Sequence, residues 1–411
     1  MNRRQFLQSL SAAGAGLIAS SSGVWATTGM ASSRRLIVVF LRGAVDGLNV
    51  VVPYHEANYY RLRPKIALAR PGEPDGALDL DGRFGLHPAL APLLPFWRQG
   101  SLAFVHGAGS PDPTRSHFDG QDNIESGTPG NKATRDGWLN RLEGALPKER
   151  ATMQAISVGA STPRIFLGSN RVTTIASGAT ASQASVLDRP VVNQAYGSVY
   201  RGDAKMGAAF TDYVAARGDV VAAINAADPE MQAANNGAPP SYAFAGDAGR
   251  LATLMRRDPR VRLGFLAVSG WDTHANEGGA KGQLANLLTP FAQGLVALVR
   301  NLGAAYNETT IVVVSEFGRT VAQNGNGGTD HGYGNVMWLL GGNVAGGKVH
   351  GAWPGLDDGA LFQGRDVTVT TDYRTVFAQV CERHLQLPDA KLAEVFPAMP
   401  RQAVPISVIR D

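Results

Sequence analysis

The sequence contains a single cysteine, Cys381, among its 411 residues. A lone cysteine excludes an intrachain disulfide, and it excludes a metal site built from several thiolates. The sequence also lacks a basic tract, a zinc-finger spacing and an RNA-binding signature, and its net charge is only +4. A nucleic-acid-binding function is therefore a poor interpretation.

Long apolar runs are missing as well, and no segment reaches the roughly 20 residues that a transmembrane helix needs. The first 26 residues place Arg3 and Arg4 before a short apolar segment rich in Gly, Ala and Ser, which ends in small residues at Ala26. This pattern is typical of a signal peptide for the twin-arginine export machinery. We predict a signal peptide over residues 1–26 and a periplasmic or secreted protein. Export of an already folded chain is consistent with the absence of disulfides.

The rest of the sequence predicts one large α/β domain over residues 27–411. Apolar residues make up 44% of the chain, which is ample for a large core. Runs rich in Val, Ile and Leu without strict alternation predict strands covered on both faces. These runs are residues 36–41, 102–106, 155–158, 261–268, 310–315 and 336–340, with helical patterns at 88–99, 284–302 and 372–387. The alternation favours a three-layer sandwich around a mostly parallel sheet.

Residues 203–257 differ from the rest of the chain because they are rich in alanine and helix-prone, with a break at "NNGAPPS". We interpret this stretch as a helical insertion that packs on the sheet or covers a site, not as an independent domain.

Acids and histidines follow the predicted strands, where open α/β sheets bind their ligands. Asp46 follows the first strand, Asp272 and His274 follow "RLGFLAVSGW", and Glu316 follows "TTIVVVS"; a glycine-rich loop then leads to Asp330 and His331. Clustered carboxylates repel one another unless a cation binds them, and mixed Asp, Glu and His ligands suit divalent metals. The pattern favours a shared metal site. The alternative is that each acid caps a helix and each histidine only forms hydrogen bonds.

Ser116 is a candidate nucleophile. The segment "PTRSHFDGQD" predicts a tight turn that opens into a helix, and a hydroxyl there lies near the positive helix end, where an anion can also bind. A metal could activate this hydroxyl, and the neighbouring Arg115 could bind an anionic group. Arg42 and Arg319 also lie beside predicted site residues. The alternative is that Ser116 or Thr114 simply caps the helix.

The segments "FLRGAVDGLNVVVPY", "HGAGSPDPTRSHFDGQD", "GWDTHANE" and "SEFGRTVAQNGNGGTDHGYG" resemble the exported bacterial family known as domain of unknown function 1501. The resemblance runs from about residue 35 to 397. That family is similar to the alkaline phosphatase and sulfatase superfamily. The resemblance implies an alkaline-phosphatase-like α/β core with two divalent metals (Zn, Mn, Mg or Ca) at the carboxyl edge of the sheet and a Ser, Thr or modified-Cys nucleophile.

The resemblance also implies a role for each matching residue. Asp46 matches the metal-bridging acid, Ser116 the nucleophile, Asp272 and His274 the pair that binds one metal, and His331 the last metal histidine. Glu316-Phe317 stands where the superfamily has Asp-His, and the spacing from Asp272 to His274 is unusually short. The second metal could be weaker, Asp330 could replace the lost ligand, or the site could hold one metal or none.

Two functions follow from this resemblance. The first is an exported, metal-dependent hydrolase of phosphate or sulfate esters, with a small anionic ester as its substrate and Ser116 as the nucleophile. The second is a catalytically degenerate member of the fold that acts as a binding or assembly protein with another exported protein. The hydrolase is favoured by the presence of the matching residues Asp46, Ser116, Asp272, His274 and His331. The binding or assembly protein is favoured by the loss of the Asp-His pair.

Overall fold

The structure is a computed structural model, and it describes residues 34–147, 154–178, 233–399 and 406–410. The predicted signal peptide and residues 203–232 of the predicted insertion lie outside these residues. None of the helices in the described ranges is both long and apolar enough to cross a membrane.

A mixed, mostly parallel sheet forms the centre of the domain. Its strands, among the described residues, are β1 (Arg35–Leu41), β5 (Leu102–Gly109), β6 (Ala155–Val158), β7 (Thr173–Ile175), β8 (Leu263–Val268), β9 (Thr309–Ser315), β10 (Asn335–Gly341), β11 (Val349–His350) and β12 (Thr371–Asp372). The spatial order is β11-β5-β10-β9-β1-β8-β6-β7, and β12 also pairs with β5. Strand β10 runs antiparallel to both of its neighbours. A separate small sheet contains β2 (Val51–Val52), β3 (Leu78–Asp79) and β4 (Gly85–Leu86).

Helices cover both faces of this sheet. The α-helices within the described ranges are α1 (Gly47–Val50), α2 (Ala57–Leu62), α3 (Leu94–Arg98), α4 (His117–Ser126), α5 (Trp138–Ala145), α6 (Phe244–Arg257), α7 (Gln283–Leu302), α8 (Tyr373–Gln379) and α9 (Asp389–Val395). A 3-10 helix at Pro88–Leu93 precedes α3, and a π-helical turn at Val380–His384 follows α8.

The two faces form separate apolar layers because side chains alternate along each strand. Ile37 and Val39 of β1 lie in the cluster that contains α3, α6 and α7. Leu36 and Val38 lie in the cluster that contains α4, α5, α8 and α9. This arrangement confirms the predicted three-layer α/β sandwich. The described part of the predicted insertion, residues 233–257, ends in α6, which packs on the first of these faces.

The central position of β1 brings the predicted site residues to one edge of the sheet. Strand β1 pairs in parallel with β8 on one side and with β9 on the other. Leu41 at its end aligns with Val268 and with Ser315. The segments that follow these three strands therefore begin side by side.

Candidate metal centre

Asp272 lies at the middle of a group of three histidines. Its Oδ1 lies 3.1 Å from Nε2 of His274 and 3.2 Å from Nε2 of His331. Its Oδ2 lies 3.5 Å from Nε2 of His117. The potential ligand atoms of His117, Asp272 and His331 all lie within 4.8 Å of one another. Three imidazoles and one carboxylate thus converge on a small volume.

The outer nitrogen of each histidine faces a hydrogen-bond acceptor. Nδ1 of His117 lies 2.9 Å from Oε1 of Glu316, and Nδ1 of His331 lies 2.8 Å from the carbonyl oxygen of Arg115. Nδ1 of His274 lies 3.3 Å from Oδ1 of Asp330. An acceptor at Nδ1 requires a proton there, so each neutral imidazole presents a bare Nε2 lone pair toward Asp272.

These lone pairs fit a cation. Nε2 of His274 and Nε2 of His331 are only 3.0 Å apart, so a proton or a metal ion must separate their lone pairs. Nε2 of His117 is buried, and 3.5 Å separates it from Oδ2 of Asp272. A set of imidazole and carboxylate ligands with oriented outer nitrogens is a common zinc site, and related divalent metals accept it too. The residues present therefore fit a divalent metal ion.

The electrostatics of the group favour positive charge at its centre. Three carboxylates, those of Asp272, Glu316 and Asp330, contact the histidines. Of these, Asp272 also forms an ion pair with the guanidinium of Arg319. Burial opposes ionisation of Asp272, but hydrogen bonds from the histidines and the charge of Arg319 hold its pKa well below its usual range.

The same carboxylates favour protonation of the histidines. Burial alone would lower the pKa of His117, yet the carboxylates of Asp272 and Glu316 raise it to about 9. The hydrogen bond to Asp272 is the main cause that raises the pKa of His274. Such shifts are typical of groups that share a functional site.

Arg319 is a buried support for this group. Its guanidinium forms an ion pair with Asp272, and it also donates hydrogen bonds to the carbonyl oxygens of Gly43 (2.6 Å), Ala44 (2.6 Å), Trp271 (3.1 Å) and Thr329 (3.1 Å). It therefore ties together the segments after β1, β8 and β9. The guanidinium of Arg42 is also engaged by buried partners, because it forms an ion pair with Glu125 at 2.6 Å and donates a hydrogen bond to Gln121.

Asp46 does not join the histidines. Its carboxylate forms a fully buried, bidentate ion pair with Arg63, whose guanidinium supplies the positive charge that the sequence suggested a metal would supply. Glu316 lies behind His117, where it accepts hydrogen bonds from that ring, from the amide of Gly43 (2.8 Å) and from Gln121 (3.2 Å). The structure thus gives Glu316 an orienting position.

Ser116 lies at the N-terminus of α4, and Arg115 directly precedes it. The Ser116 side chain is exposed and caps α4, since its Oγ accepts from the amide of Asp119 at 3.4 Å. The Arg115 guanidinium binds Asp366 at 2.6 Å, and only the Arg115 carbonyl reaches the site, through His331. Asp330 is half exposed and accepts from His274 at the rim of the group.

Two buried residues of this region were not predicted. His117 directly follows Ser116 in the sequence, and its position at the start of a helix after β5 was the available signal. Glu277 lies five residues after Asp272, and its two threonine partners come from different segments. No local pattern in the sequence marks Glu277.

The sequence profile of a family described as "Protein of unknown function (DUF1501)" matches residues 100–396, which is more than half of the chain. The chain belongs to this family. The resemblance seen in the sequence motifs is thereby confirmed. A comparison with curated proteins found no match for this DUF1501 member.

Several solved structures share part of its chain path. A 2-O GAG sulfatase is 7% identical, with 90% of this chain and 76% of that chain covered and a TM-score of 0.42. An alkaline phosphatase superfamily protein from Vibrio parahaemolyticus is 9% identical, with 78% and 63% covered and a TM-score of 0.35. The lipoteichoic acid synthase LtaP from Listeria monocytogenes is 10% identical, with 76% and 66% covered and a TM-score of 0.34. Likeness at this level carries no information on activity.

Proposed function

We propose that this DUF1501 protein is an exported, metal-dependent hydrolase of small phosphate or sulfate esters. The observation that carries the proposal is the convergence of three histidine Nε2 atoms on Asp272, each histidine being oriented by an acceptor at its Nδ1. His117, His274, His331 and Asp272 would hold one divalent metal ion (Zn, Mn, Mg or Ca). When bound, such an ion supplies Lewis acidity toward an anionic ester oxygen.

The residues around the metal ligands would orient them and admit substrate. Glu316 would keep His117 in the required tautomer, and Arg319 would hold Asp272 in its ionised form. His274 has a side chain that is 36% exposed and that of Asp330 is 56% exposed, so the centre opens to solvent on their side. An anionic ester would enter from that side.

Ser116 remains our proposal for the nucleophile, because its exposed hydroxyl adjoins His117 at the positive end of the ten-residue helix α4. Its Oγ would attack the phosphorus or sulfur atom, the alcohol would leave, and water would then hydrolyse the serine ester. The Arg115 carbonyl would meanwhile hold His331 in place.

A pair of substitutions at Ser116 separates the hydroxyl from the helix cap. Ser116→Asn keeps a capping side chain but has no hydroxyl, whereas Ser116→Thr keeps both. With zinc- or manganese-loaded protein and aryl phosphates or sulfates as substrates, we expect Ser116→Asn to lose about 100-fold or more in kcat. We expect Ser116→Thr to retain most of the activity, and both variants to bind metal as the wild type does. Full activity in Ser116→Asn would show that the nucleophile is another group.

A binding or assembly protein is the second candidate. Two observations favour it: Ser116 caps a helix, and Asp46 is bound to Arg63 instead of lying with the histidines. Metal-loaded wild-type protein that cleaves no aryl ester, yet co-purifies with another exported protein from periplasmic extract, would support this function over hydrolysis.

A further inference from the structure

Glu277 connects two of the segments that form the candidate metal centre. It is fully buried, and its Oε2 accepts hydrogen bonds from Oγ1 of Thr273 at 2.9 Å and from Oγ1 of Thr329 at 2.7 Å. Thr273 lies between Asp272 and His274 in the chain. Thr329 lies two residues before His331. One carboxyl group therefore joins the segment after β8 to the glycine-rich segment after β9.

The same two segments are also in direct backbone contact. The amide of Thr329 donates to the carbonyl of Thr273 at 3.2 Å, and the amide of Glu277 donates to the carbonyl of Gly327 at 3.0 Å. A side-chain carbon at Gly328 would collide with the backbone of Thr273 and His274, so glycine permits this approach. The position of His274 relative to His331 thus depends on how these segments are held together.

The Glu277 carboxyl group interacts with that of Asp46, the acid that Arg63 binds, and its Oε1 is buried without a hydrogen-bond donor among the described residues. Two facing carboxylates repel one another unless one carries a proton, which completes a hydrogen bond between them. Burial, followed by the negative charge of Asp46, raises the pKa of Glu277 well above its usual range. A protonated Glu277 donates to Asp46 and accepts from the two threonines. A glutamine side chain can form the same three hydrogen bonds.

We propose that Glu277 is a positioning residue of the metal centre. It raises metal affinity by holding the segment of Asp272 and His274 against the segment of His331. The inference rests on the proposed metal site. The side-chain hydrogen bonds of Glu277 go to Thr273 and Thr329, so it would act on Asp272 and the histidines through these two neighbours. Supporting groups of this kind typically change metal affinity by about 10- to 100-fold when they are removed.

The test compares Glu277→Ala with Glu277→Gln, using zinc and manganese affinities measured in competition with a chromogenic chelator. We expect Glu277→Ala to weaken zinc binding by about 10- to 100-fold and Glu277→Gln to stay within about threefold of the wild type. Leu295→Ala is the control, because it removes buried apolar volume from α7 and changes no residue of either segment. We expect it to lower the unfolding midpoint and to leave zinc affinity unchanged.

A double-mutant cycle with Thr329→Val tests the path of the effect. Thr329→Val should weaken zinc binding in the wild type, and it should weaken it less in the Glu277→Ala background, since the hydroxyl's partner is already absent. Additive losses of zinc affinity in this cycle would contradict the positioning role of Glu277. So would wild-type affinity in Glu277→Ala, or an equal loss in Leu295→Ala or Glu277→Gln.

Hydrogen exchange separates this inference from the proposed function. In metal-free protein, the amides of Glu277 and Thr329 should exchange faster in Glu277→Ala and at the wild-type rate in Glu277→Gln. A wild type that binds neither zinc nor manganese would refute the proposed function. Unchanged amide exchange in Glu277→Ala would instead overturn the proposal that Glu277 holds the two segments together.

Discussion

His117 makes the stability of the metal-free protein fall as the pH rises above neutrality. Its pKa is about 9 in the folded state, against an ordinary value of 6.5, because it lies between the carboxylates of Asp272 and Glu316. A raised pKa means that the folded state binds the proton more tightly, so the stabilisation is complete below pH 6.5 and is lost as the pH rises through 9. A shift of this size corresponds to about 3 kcal/mol of unfolding free energy.

Urea titrations in the presence of a chelator, at pH values from 6 to about 10, measure this fall. His117→Gln is the control, because it removes the titrating ring and leaves the raised pKa of His274 as a contribution of the same sign in both proteins. We expect the wild type to lose about 3 kcal/mol more than the control across this window. Saturating zinc should abolish the difference, since the metal replaces the proton.

An equal pH dependence in the wild type and in His117→Gln would refute this reasoning. It would mean that His117 carries no proton between the two carboxylates, and that the electrostatics of the group do not favour a cation at its centre.

Three further outcomes are expected. Glu316→Gln weakens the acceptor for Nδ1 of His117, so zinc affinity should fall by about 10-fold or more in the chelator competition assay; unchanged affinity would contradict the orienting role. Arg63→Met leaves the buried Asp46 charge unpaired and should cost about 3–5 kcal/mol in urea unfolding, and an Asp46→Asn, Arg63→Met double variant should recover much of this loss. Periplasmic protein should begin near residue 27, and N-terminal sequencing that finds Met1 intact would refute the predicted cleavage.

The architecture could be predicted because burial on both faces leaves a clear pattern in the sequence. All six predicted strands are present, with boundaries that differ by no more than three residues. Their order in the sheet and the reversed direction of β10 could not be predicted, because both depend on how the connecting helices pack.

The candidate site was only partly predictable. Asp272, His274 and His331 come together because parallel strands end at one edge and a glycine loop returns to it. The partner of Asp46 could not be predicted, since nothing local shows that Arg63 would fold against it. The sequence pointed to Ser116 and not to the adjacent His117. Which of the two side chains faces the protein interior depends on the direction in which α4 begins, and the structure buries the histidine and exposes the serine.

The metal content of the protein, purified without chelator, tests the central claim most directly. Elemental analysis should find one divalent ion per chain, because His117, His331 and Asp272 form one group with His274 beside it, and Arg63 already neutralises Asp46. Asp272→Asn should release this ion and lower the thermal unfolding midpoint to that of the chelator-treated wild type. A wild type that contains no divalent metal, takes none up from zinc or manganese solutions and keeps its unfolding midpoint in chelator would contradict the account.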